Sequence, residues 1–497
     1  MTVLVDTLEH RPPPRKRAVE IRPPAPPDTG PPPLYKPREP IYPKLVHGRF
    51  RALKWGLLAV MLTIYYGVPW IRWHRPGAAA QQAVMVDFSH ARFWFGPIHL
   101  WAQDVYFITG LLVIAALALF LSNALFGRLW CGYACPQTVW TDLYIHIERL
   151  FEGDRNARMR RDRQPWSVDK IWRKAGKHAV WFLVAAATGG AWIFYFRDAP
   201  TLWREFWAGT APLSSYTSFT ILTFTTYMLA GMMREQVCTY MCPWPRIQGA
   251  MLDQHSLQVT YRRDRGEPRG AHKAGDSWQG RGDCIDCQQC VVACPMGIDI
   301  RDGSQLECIN CALCIDACDE IMLKVERPIG LIGYDTDAAV LAREAGKPAT
   351  YQLTRPRTIY YAVALAAVSV LMVWGLAQRR VLDVHVVRDR NPMFVRLHDG
   401  AIRNGYTLKI ANRTLTPQQV RIAFNGVPGA VLKTPGEDAV KGELSARLDP
   451  DTESSVRVLV TAPAHAQLPA MTQAGFIVTA RDASQSQGTV FATGGPQ

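Results

Sequence analysis

Twelve cysteines form the chemically richest pattern in this 497-residue chain, and all of them lie between Cys131 and Cys318. Thiolates are ligands for soft metal ions and for iron–sulfur clusters, and thiols are also the groups that form disulfides. The cysteines fall into a group of eight and a group of four, which differ in spacing and in the sequence around them.

The group of eight has the spacing of a bacterial two-cluster ferredoxin, with two C-x₂-C-x₂-C-x₃-C runs in tandem. Three thiolates two residues apart wrap one cubane from a tight loop. The fourth cysteine of each run is expected to start a short helix and to reach the other cluster. Zinc sites favour two cysteine pairs, and a cytoplasmic compartment disfavours disulfides. The first [4Fe–4S] cluster is assigned to Cys284, Cys287, Cys290 and Cys318, and the second to Cys308, Cys311, Cys314 and Cys294.

Two complete cysteine runs indicate electron relay rather than substrate chemistry. Because neither run lacks a cysteine, neither cluster has an open iron position, and we interpret the pair as an electron wire. Asp319 stands where a second proline would usually follow the last cysteine. This departure does not affect the ligands, because all eight cysteines are present.

The group of four forms a repeated Cys-x-Tyr-x-Cys-Pro motif, which indicates an internal duplication. If the backbone stays helical, each cysteine pair lies on one helix face, and the proline then ends or kinks the helix. Converging thiolates suit Cu(I), zinc or an iron–sulfur cluster. A further cluster, binding and reduction of copper, and a dithiol–disulfide cycle all remain open, beside inert buried cysteines. The four residues are Cys131, Cys135, Cys238 and Cys242.

Long apolar windows must position these motifs, since each copy of the repeated motif directly follows one. The chain has a net charge of +14, but its basic residues mostly flank the apolar windows. That placement indicates membrane topology rather than a nucleic-acid partner. Windows of about 20 residues are long enough to cross a bilayer. Five spans are predicted, at 52–70, 105–126, 179–196, 214–233 and 359–377.

Lys and Arg residues set the predicted orientation. They are abundant before the first window and between the second and third. This places the N-terminus and all twelve cysteines on the cytoplasmic side of a bacterial inner membrane. With five spans, the C-terminal domain lies in the periplasm. Arg379 and Arg380, directly after the last window, run against this orientation.

The predicted fold is a multi-domain membrane protein with an α-helical transmembrane bundle, an inserted two-cluster ferredoxin domain and a C-terminal immunoglobulin-like β-sandwich. A disordered proline-rich tail (1–50) precedes a four-span domain (51–255), the insert (256–355) and the fifth span (356–378). Short alternating stretches with Asn-Gly and Pro-Gly turns predict the sandwich (379–497). No glycine-rich nucleotide motif or hydrolase motif indicates ATP use or hydrolysis.

The order of these features resembles the CcoG family, also called FixG or RdxA. The local strings Trp130–Gln137, Gly266–Arg269 and Asn404–Tyr406 are similar too, and the resemblance covers nearly the whole chain beyond its N-terminal tail.

The resemblance implies an oxidoreductase that reduces Cu(II) to Cu(I) during assembly of cbb3-type cytochrome oxidase. It implies that the repeated-motif cysteines carry the reaction and that the other eight hold two [4Fe–4S] clusters. A cytoplasmic copper chaperone, a copper-exporting ATPase and oxidase assembly components are the implied partners, and the electron donor stays unnamed. Two alternatives remain open: a quinol-linked membrane ferredoxin serving another redox partner, and a non-catalytic scaffold for copper or oxidase assembly.

Overall fold

The computed structural model describes residues 40–76, 79–273, 275–379, 381–436, 440–466, 468–481 and 483–494. Most of the tail predicted to be disordered lies outside these residues. Its C-terminal end packs on the insert, because Val46 is buried against Ala293 and Ala317. The backbone N–H of Lys44 also donates a hydrogen bond to the carbonyl of Val292. The packed chain therefore begins before the first predicted span.

Helices dominate the first half of the described chain. A three-stranded antiparallel sheet lies between its first two long helices. Two π-helical segments, Tyr227–Met233 and Val237–Met241, follow the eighth helix. The elements are α1 (Arg49–Gly67), β1 (Val84–Asp87), β2 (Arg92–Phe95), β3 (Ile98–Trp101), α2 (Val105–Phe126), α3 (Leu129–Tyr133), α4 (Pro136–Glu152), α5 (Arg155–Arg163), α6 (Val168–Ile193), α7 (Ala199–Ala208), α8 (Leu213–Thr226) and α9 (Trp244–Met251).

Three helices of the described residues are long and apolar enough to cross a membrane: Arg49–Trp70, Ala102–Phe126 and Pro356–Ala377. They coincide with the first, second and fifth predicted spans. The polar residue of the first window, Lys54, is buried beside the carboxylate of Asp142 at 3.6 Å. This pairing explains how the helix keeps a lysine at its start.

The third and fourth predicted windows also form helices, α6 and α8. Neither helix is both long enough and apolar enough to count with the three membrane-spanning candidates. α6 begins in polar residues, and α8 has only 14 residues before the backbone widens into a π-helix. The two helices pack closely at Gly189, where an added Cβ would lie 2.9 Å from the carbonyl oxygen of Phe219. The helices are thus present, and their crossing of the membrane stays a prediction.

The insert is a small domain built on one antiparallel strand pair and two packed helices. Val259, Ile300, Ile315 and Ile332 form its buried apolar core together with several cysteines. Its elements are β4 (Gln258–Tyr261), α10 (Arg263–Gly266), α11 (Gln289–Ala293), α12 (Leu313–Lys324), β5 (Ile332–Asp335) and α13 (Asp337–Glu344).

The last long helix leads into a two-sheet β-domain. The elements are α14 (Pro356–Ala377), β6 (Leu382–Arg388), β7 (Val395–Arg396), β8 (Ile402–Asn412), β9 (Gln418–Asn425), β10 (Val431–Lys433), β11 (Val440–Lys441), β12 (Glu443–Leu448), β13 (Thr452–Ala462), β14 (Met471–Thr479) and β15 (Ser484–Ala492). One sheet has the order β11-β10-β13-β8-β6 with β7 paired to β8, and the other has the order β12-β9-β14-β15.

The core between the two sheets is apolar and closed. Leu408, Ile422, Val458 and Phe476 are fully buried there. Tyr406 is buried too, and its hydroxyl donates a 2.9 Å hydrogen bond across the sandwich to the carbonyl of Val490. The predicted immunoglobulin-like β-sandwich is confirmed.

Candidate metal centre

Four cysteines of the insert line a first thiol cavity. Cys284 and Cys287 come from the loop before α11, Cys290 comes from α11 itself, and Cys318 comes from α12. Cys284 and Cys290 are buried, whereas Cys287 is exposed. One edge of this cavity therefore reaches the protein surface.

A second thiol cavity is lined by Cys294, Cys308, Cys311 and Cys314, with Cys290 at its border. Burial, followed by the neighbouring Cys311 thiol, raises the pKa of Cys294 well above the ordinary value of a thiol. A cluster that binds here must therefore displace protons that the thiols hold at neutral pH.

The two cysteine runs share one backbone design. Asp286 and Gln288 have φ angles of 54° and 55°, and Asn310 and Ala312 have φ angles of 53° and 61°. These non-glycine residues lie two and four positions after the first cysteine of each run. Left-handed backbone at such residues costs roughly 1–3 kcal/mol each and is maintained only where the surroundings require it. Here it winds each loop around its cavity.

The expectation that the fourth cysteine of each run starts a helix is wrong. Cys294 follows the end of α11 with an extended ψ of 122°, because the residue before a proline is disfavoured in the helical region. Cys318 lies inside α12. Cys318 lines the cavity of the first run and Cys294 that of the second. Each cavity thus offers four thiols among mainly apolar walls, a donor set that fits a [4Fe–4S] cubane.

The first copy of the repeated motif turns sharply between two helices. Cys131 lies in α3, and Cys135 has an extended ψ of 128° before Pro136, which opens α4. The proline therefore begins a new helix, for which it is well suited because its missing N–H needs no partner there. The Cys131 thiol donates a 3.2 Å hydrogen bond to Oε1 of Gln248, and Thr138 Oγ1 donates to the Cys131 carbonyl at 2.6 Å.

The second copy has an unusual backbone. Cys238 lies in the π-helical segment Val237–Met241, and π-helical turns are frequent at functional sites. Arg234, between the two π-helical segments, has a φ of 44°. Gln137 Nε2 fixes this joint by donating to the carbonyls of Leu229 at 2.8 Å and of Arg234 at 3.2 Å. A side chain directly after the first motif thus holds the backbone that leads into the second motif.

The four thiols of the two copies, called here the membrane-edge thiols, lie within electrostatic reach of one another. Burial, with smaller contributions from Cys135 and Cys238, raises the pKa of Cys131 to about 12. Burial, with smaller contributions from Cys135 and Cys242, raises the pKa of Cys238 to about 12 as well. Among the described residues, however, no three side chains of His, Cys, Asp or Glu are close enough to hold one metal ion. The thiols converge without forming a closed single-ion site.

The first motif lies directly against the second thiol cavity. Cys131 shares an apolar cluster with Ile309, Cys311 and Leu313. At Gly132 an added Cβ would lie 2.6 Å from the carbonyl oxygen of Ile309, so only glycine permits this approach. The contact joins the two groups of cysteines into one continuous site.

Sequence reasoning missed three polar residues of this site. Arg128 donates to the carbonyls of Cys308 at 3.1 Å and of Pro245 at 3.0 Å, and it also binds the Leu306 carbonyl. Gln248 accepts from Cys131, and Glu235 is buried near Cys238. One signal was available, because Arg128 and Glu235 both stand three residues before the first cysteine of their motif copy.

Comparison with protein-family models gives three matches. A model described as a 4Fe-4S dicluster domain matches residues 233–337, and one described as a 4Fe-4S binding domain matches residues 108–153. The second match includes the first membrane-edge motif. A model for the immunoglobulin-like fold at the C-terminus of FixG matches residues 372–494.

Similar proteins extend over most of the chain. The nitrogen fixation protein FixG of Rhizobium meliloti is 47% identical over 488 residues, which cover 92% of this chain and 93% of that protein. Protein RdxA of Cereibacter sphaeroides is 46% identical over 434 residues, covering 87% and 91% of the two chains. The crystal structure of a FixG-related protein from Vibrio parahaemolyticus aligns with 23% of this chain and 98% of its own, at 20% identity and a TM-score of 0.20.

The fold and its cysteine cavities define an iron–sulfur electron-transfer protein with apolar helices of membrane-spanning length. Such a protein carries its clusters in a domain inserted between helices and ends in an immunoglobulin-like domain. The chain belongs to the FixG/RdxA family, as its motif order predicted.

Proposed function

We propose that the protein reduces Cu(II) to Cu(I) at the membrane-edge thiols, with electrons supplied through the insert, during assembly of a cbb3-type cytochrome oxidase. Reduction of each Cu(II) ion consumes one electron and breaks no covalent bond. A [4Fe–4S] cluster, when bound, supplies one-electron redox chemistry of this kind. The remaining task of the chain is to position the electron source and the copper ion beside each other.

The cysteines of the two thiol cavities are the ligands of the two clusters in this proposal. Cys284, Cys287, Cys290 and Cys318 hold the first, and Cys294, Cys308, Cys311 and Cys314 hold the second. The shared lining of each cavity supports this assignment. The exposed Cys287 would let electrons enter at the first cluster, and the second cluster would face the membrane-edge thiols, because its ligand Cys311 shares an apolar cluster with Cys131.

The apolar cluster that contains both Cys131 and Cys311 is the observation that carries the proposal. Tyr133 strengthens the same contact, since its hydroxyl donates to the Cys311 carbonyl at 3.3 Å. A membrane-edge thiol and a ligand of the second cluster thus lie in one apolar cluster. An ion bound at the thiols is within direct reach of an electron from the insert.

Copper suits the membrane-edge thiols for a general chemical reason. Cu(I) prefers thiolate and thioether ligands, whereas Cu(II) prefers nitrogen and oxygen ligands in tetragonal geometry. Thiols that converge on one region therefore stabilise the product more than the substrate. This difference draws the reduction forward once an electron is available.

The distribution of basic residues supports an orientation with the insert in the cytoplasm and the immunoglobulin-like domain in the periplasm of a bacterial inner membrane. Reduced copper is then released on the cytoplasmic side. A cytoplasmic copper chaperone and a copper-exporting ATPase, together with oxidase assembly components, are the partners that this arrangement serves.

Anaerobic reduction of Cu(II) in the presence of a Cu(I)-specific chelator tests the proposal. The wild type, the paired variants Cys131→Ser/Cys135→Ser and Cys238→Ser/Cys242→Ser, and the control Ala134→Ser are compared after quantification of iron and sulfide. We expect fast reduction in the wild type and the control, and loss of reduction in both paired variants with both clusters retained.

Two outcomes would overturn the proposal. Iron and sulfide equal to three cubanes, falling to two in the paired variants, would assign the membrane-edge thiols to a further cluster. Clusters that are reoxidised by quinone and not by copper would indicate a quinol-linked electron relay.

A further inference from the structure

A small cavity next to Cys238 is large enough for an ion and too small for an organic cofactor. Its volume is about 30 Å³, which exceeds the roughly 10–15 Å³ that a cavity needs to hold one water molecule. It lies between α1, α4, the second motif and the loop after Cys294. Its lining includes Cys238, Glu235, Met296 and Asp142, and also the cations Lys54 and Arg234.

Glu235 is the unusual residue of this lining. Only 8% of it is exposed, it lines the cavity, and no cation among the described residues forms an ion pair with its carboxylate. The two cations of the lining are already paired with other carboxylates, since Arg234 binds Glu148 at 2.9 Å and Lys54 binds Asp142 at 3.6 Å. A largely buried carboxylate that has no ion-pair partner and lines a cavity is suited to bind a cation from outside the chain.

The duplicated motif also relates Glu235 to Arg128. Arg128 and Glu235 occupy equivalent places, three residues before the first cysteine of their copies. Arg128 reaches the carbonyl of Cys308, on the second thiol cavity. Glu235 lines the cavity beside Cys238 instead. The first copy thus has a positive charge, Arg128, at the second thiol cavity. The second copy has a negative charge, Glu235, at the small cavity.

Met296 and Ile309 form the partition between the two spaces, because both residues line this small cavity and the second thiol cavity. Met296 also packs on the cluster of apolar residues that contains Cys131. Its thioether is a soft ligand of the kind that binds Cu(I).

We propose that this cavity is the entry port for the copper ion, with the Glu235 carboxylate binding the ion as Cu(II) and with Met296 and Cys238 holding it as Cu(I). This inference rests on the proposed function and adds residues to it. The electron that converts Cu(II) to Cu(I) would come from a cluster held by Cys294, Cys308, Cys311 and Cys314, on the other side of the partition. The ion thereby loses its preference for oxygen and gains one for sulfur.

Metal binding to the cluster-loaded protein tests the port without relying on turnover. Co(II) serves as a divalent probe that thiols do not reduce, and its binding is followed by EPR on the oxidised protein. Cu(I) affinity is measured by anaerobic competition with a chelator. Glu235→Gln and Met296→Leu are compared with Glu453→Gln, a control on the immunoglobulin-like domain, after iron and sulfide have been matched.

We expect Glu235→Gln to weaken Co(II) binding about ten-fold or more, and Met296→Leu to weaken Cu(I) binding by a similar factor. The control should bind both ions as the wild type does. Unchanged affinities in Glu235→Gln and Met296→Leu would overturn the port.

The two proposals fail in distinguishable ways. If the paired cysteine variants lose copper reduction while Glu235→Gln and Met296→Leu bind and reduce copper normally, the port is wrong and the proposed function stands. If Co(II) and Cu(I) bind as expected but the wild type reduces no Cu(II), the port stands as a metal site and the proposed reductase activity is wrong.

Discussion

Arg128 ties the first membrane-edge motif to the loop of the second thiol cavity through carbonyl groups on two segments. It also interacts electrostatically with the thiols of Cys308 and Cys131. A guanidinium can serve several carbonyls at once because its donors form a rigid fork, whereas a lysine offers a single ammonium group. Arg128 therefore acts both as a clamp and as a positive charge between the two groups of cysteines.

Replacing Arg128 with glutamine should lower the reduction potential of the second cluster, because a positive charge next to a cluster favours its reduced, more negative state. Arg128→Lys keeps the charge and should shift the potential less. An EPR-monitored redox titration of the purified protein measures both. Arg357→Gln, on the first turn of α14, is the matched control, and an unchanged potential in Arg128→Gln would show that this contact has no electrostatic role.

The raised pKa values of Cys131 and Cys238 predict that copper binding depends on pH. Both values are about 12, above the ordinary thiol value of about 8.5, so both thiols are protonated at neutral pH. Each thiol that binds a metal must release its proton, so the affinity for Cu(I) should rise with pH up to about 12. Chelator competition from about pH 6 to about pH 9 measures this rise. An affinity that stays constant across this range would show that these thiols do not bind the ion.

Cysteine spacing was sufficient to predict the two cysteine groups, because ferredoxin loops are local structures in which sequence distance sets spatial distance. The roles of Arg128 and Gln248 were not predictable in the same way. Arg128 contacts residues about 180 positions later in the chain, and Gln248 binds a thiol 117 positions earlier. A single sequence contains no signal for such contacts beyond the repeat position that Arg128 shares with Glu235.

Helix α1 is held to the insert by an unusual cap. Asp316, in α12, accepts hydrogen bonds from the backbone N–H groups of Arg51 at 2.8 Å and Phe50 at 3.3 Å. A helix N-terminus normally takes such an acceptor from its own preceding residue, but here that residue is Gly48. The missing side chain of Gly48 leaves the space that the Asp316 carboxylate occupies.

Loss of this cap should loosen the insert. Asp316→Ala removes an acceptor from two buried donors, and caps of this kind contribute about 1 kcal/mol. We expect clusters to be released at a lower temperature, which the loss of their absorbance on heating reports. Glu320→Ala, one turn further along α12 in an exposed pair with Lys324, is the control. Equal release temperatures for Asp316→Ala and the wild type would contradict the capping role.

The helices were predicted better than their detailed geometry. Each of the five predicted apolar windows falls on a helix, namely α1, α2, α6, α8 and α14, because hydropathy depends on composition alone. The π-helical segments after α8 were not predicted. They depend on Gln137, which reaches the carbonyls of Leu229 and Arg234 from another helix, and this is a tertiary contact.

At the scale of the whole molecule, Asp104 joins the start of α2 to the immunoglobulin-like domain. It is 1% exposed and accepts hydrogen bonds from Arg379 at 2.6 Å and from Arg413 at 3.1 Å. Arg92 of β2 adds a 3.2 Å contact to Asp451. The pairing of Arg379 with Asp104 explains why an arginine follows the last apolar helix against the predicted orientation, and Arg380 lies outside the described residues.

Asp104→Asn should free the immunoglobulin-like domain from the helical region. The variant leaves two largely buried arginines without their carboxylate, and breaking a buried ion pair in this way costs about 3–5 kcal/mol. Limited proteolysis in detergent should then cleave between α14 and β6 faster than in the wild type. Asp399→Asn, in a turn of the same domain, is the control, and an unchanged cleavage rate in Asp104→Asn would show that other contacts fix the domain.

The central claim is that electrons leave the insert at the membrane-edge thiols. Stopped-flow mixing of the fully reduced protein with Cu(II) tests it most directly, because the return of cluster absorbance reports each electron that leaves. Reoxidation should be fast in the wild type and in Ala134→Ser, and in Cys131→Ser/Cys238→Ser it should fall to the rate seen without copper. Reoxidation at the wild-type rate in that double variant, with iron and sulfide intact, would contradict the claim.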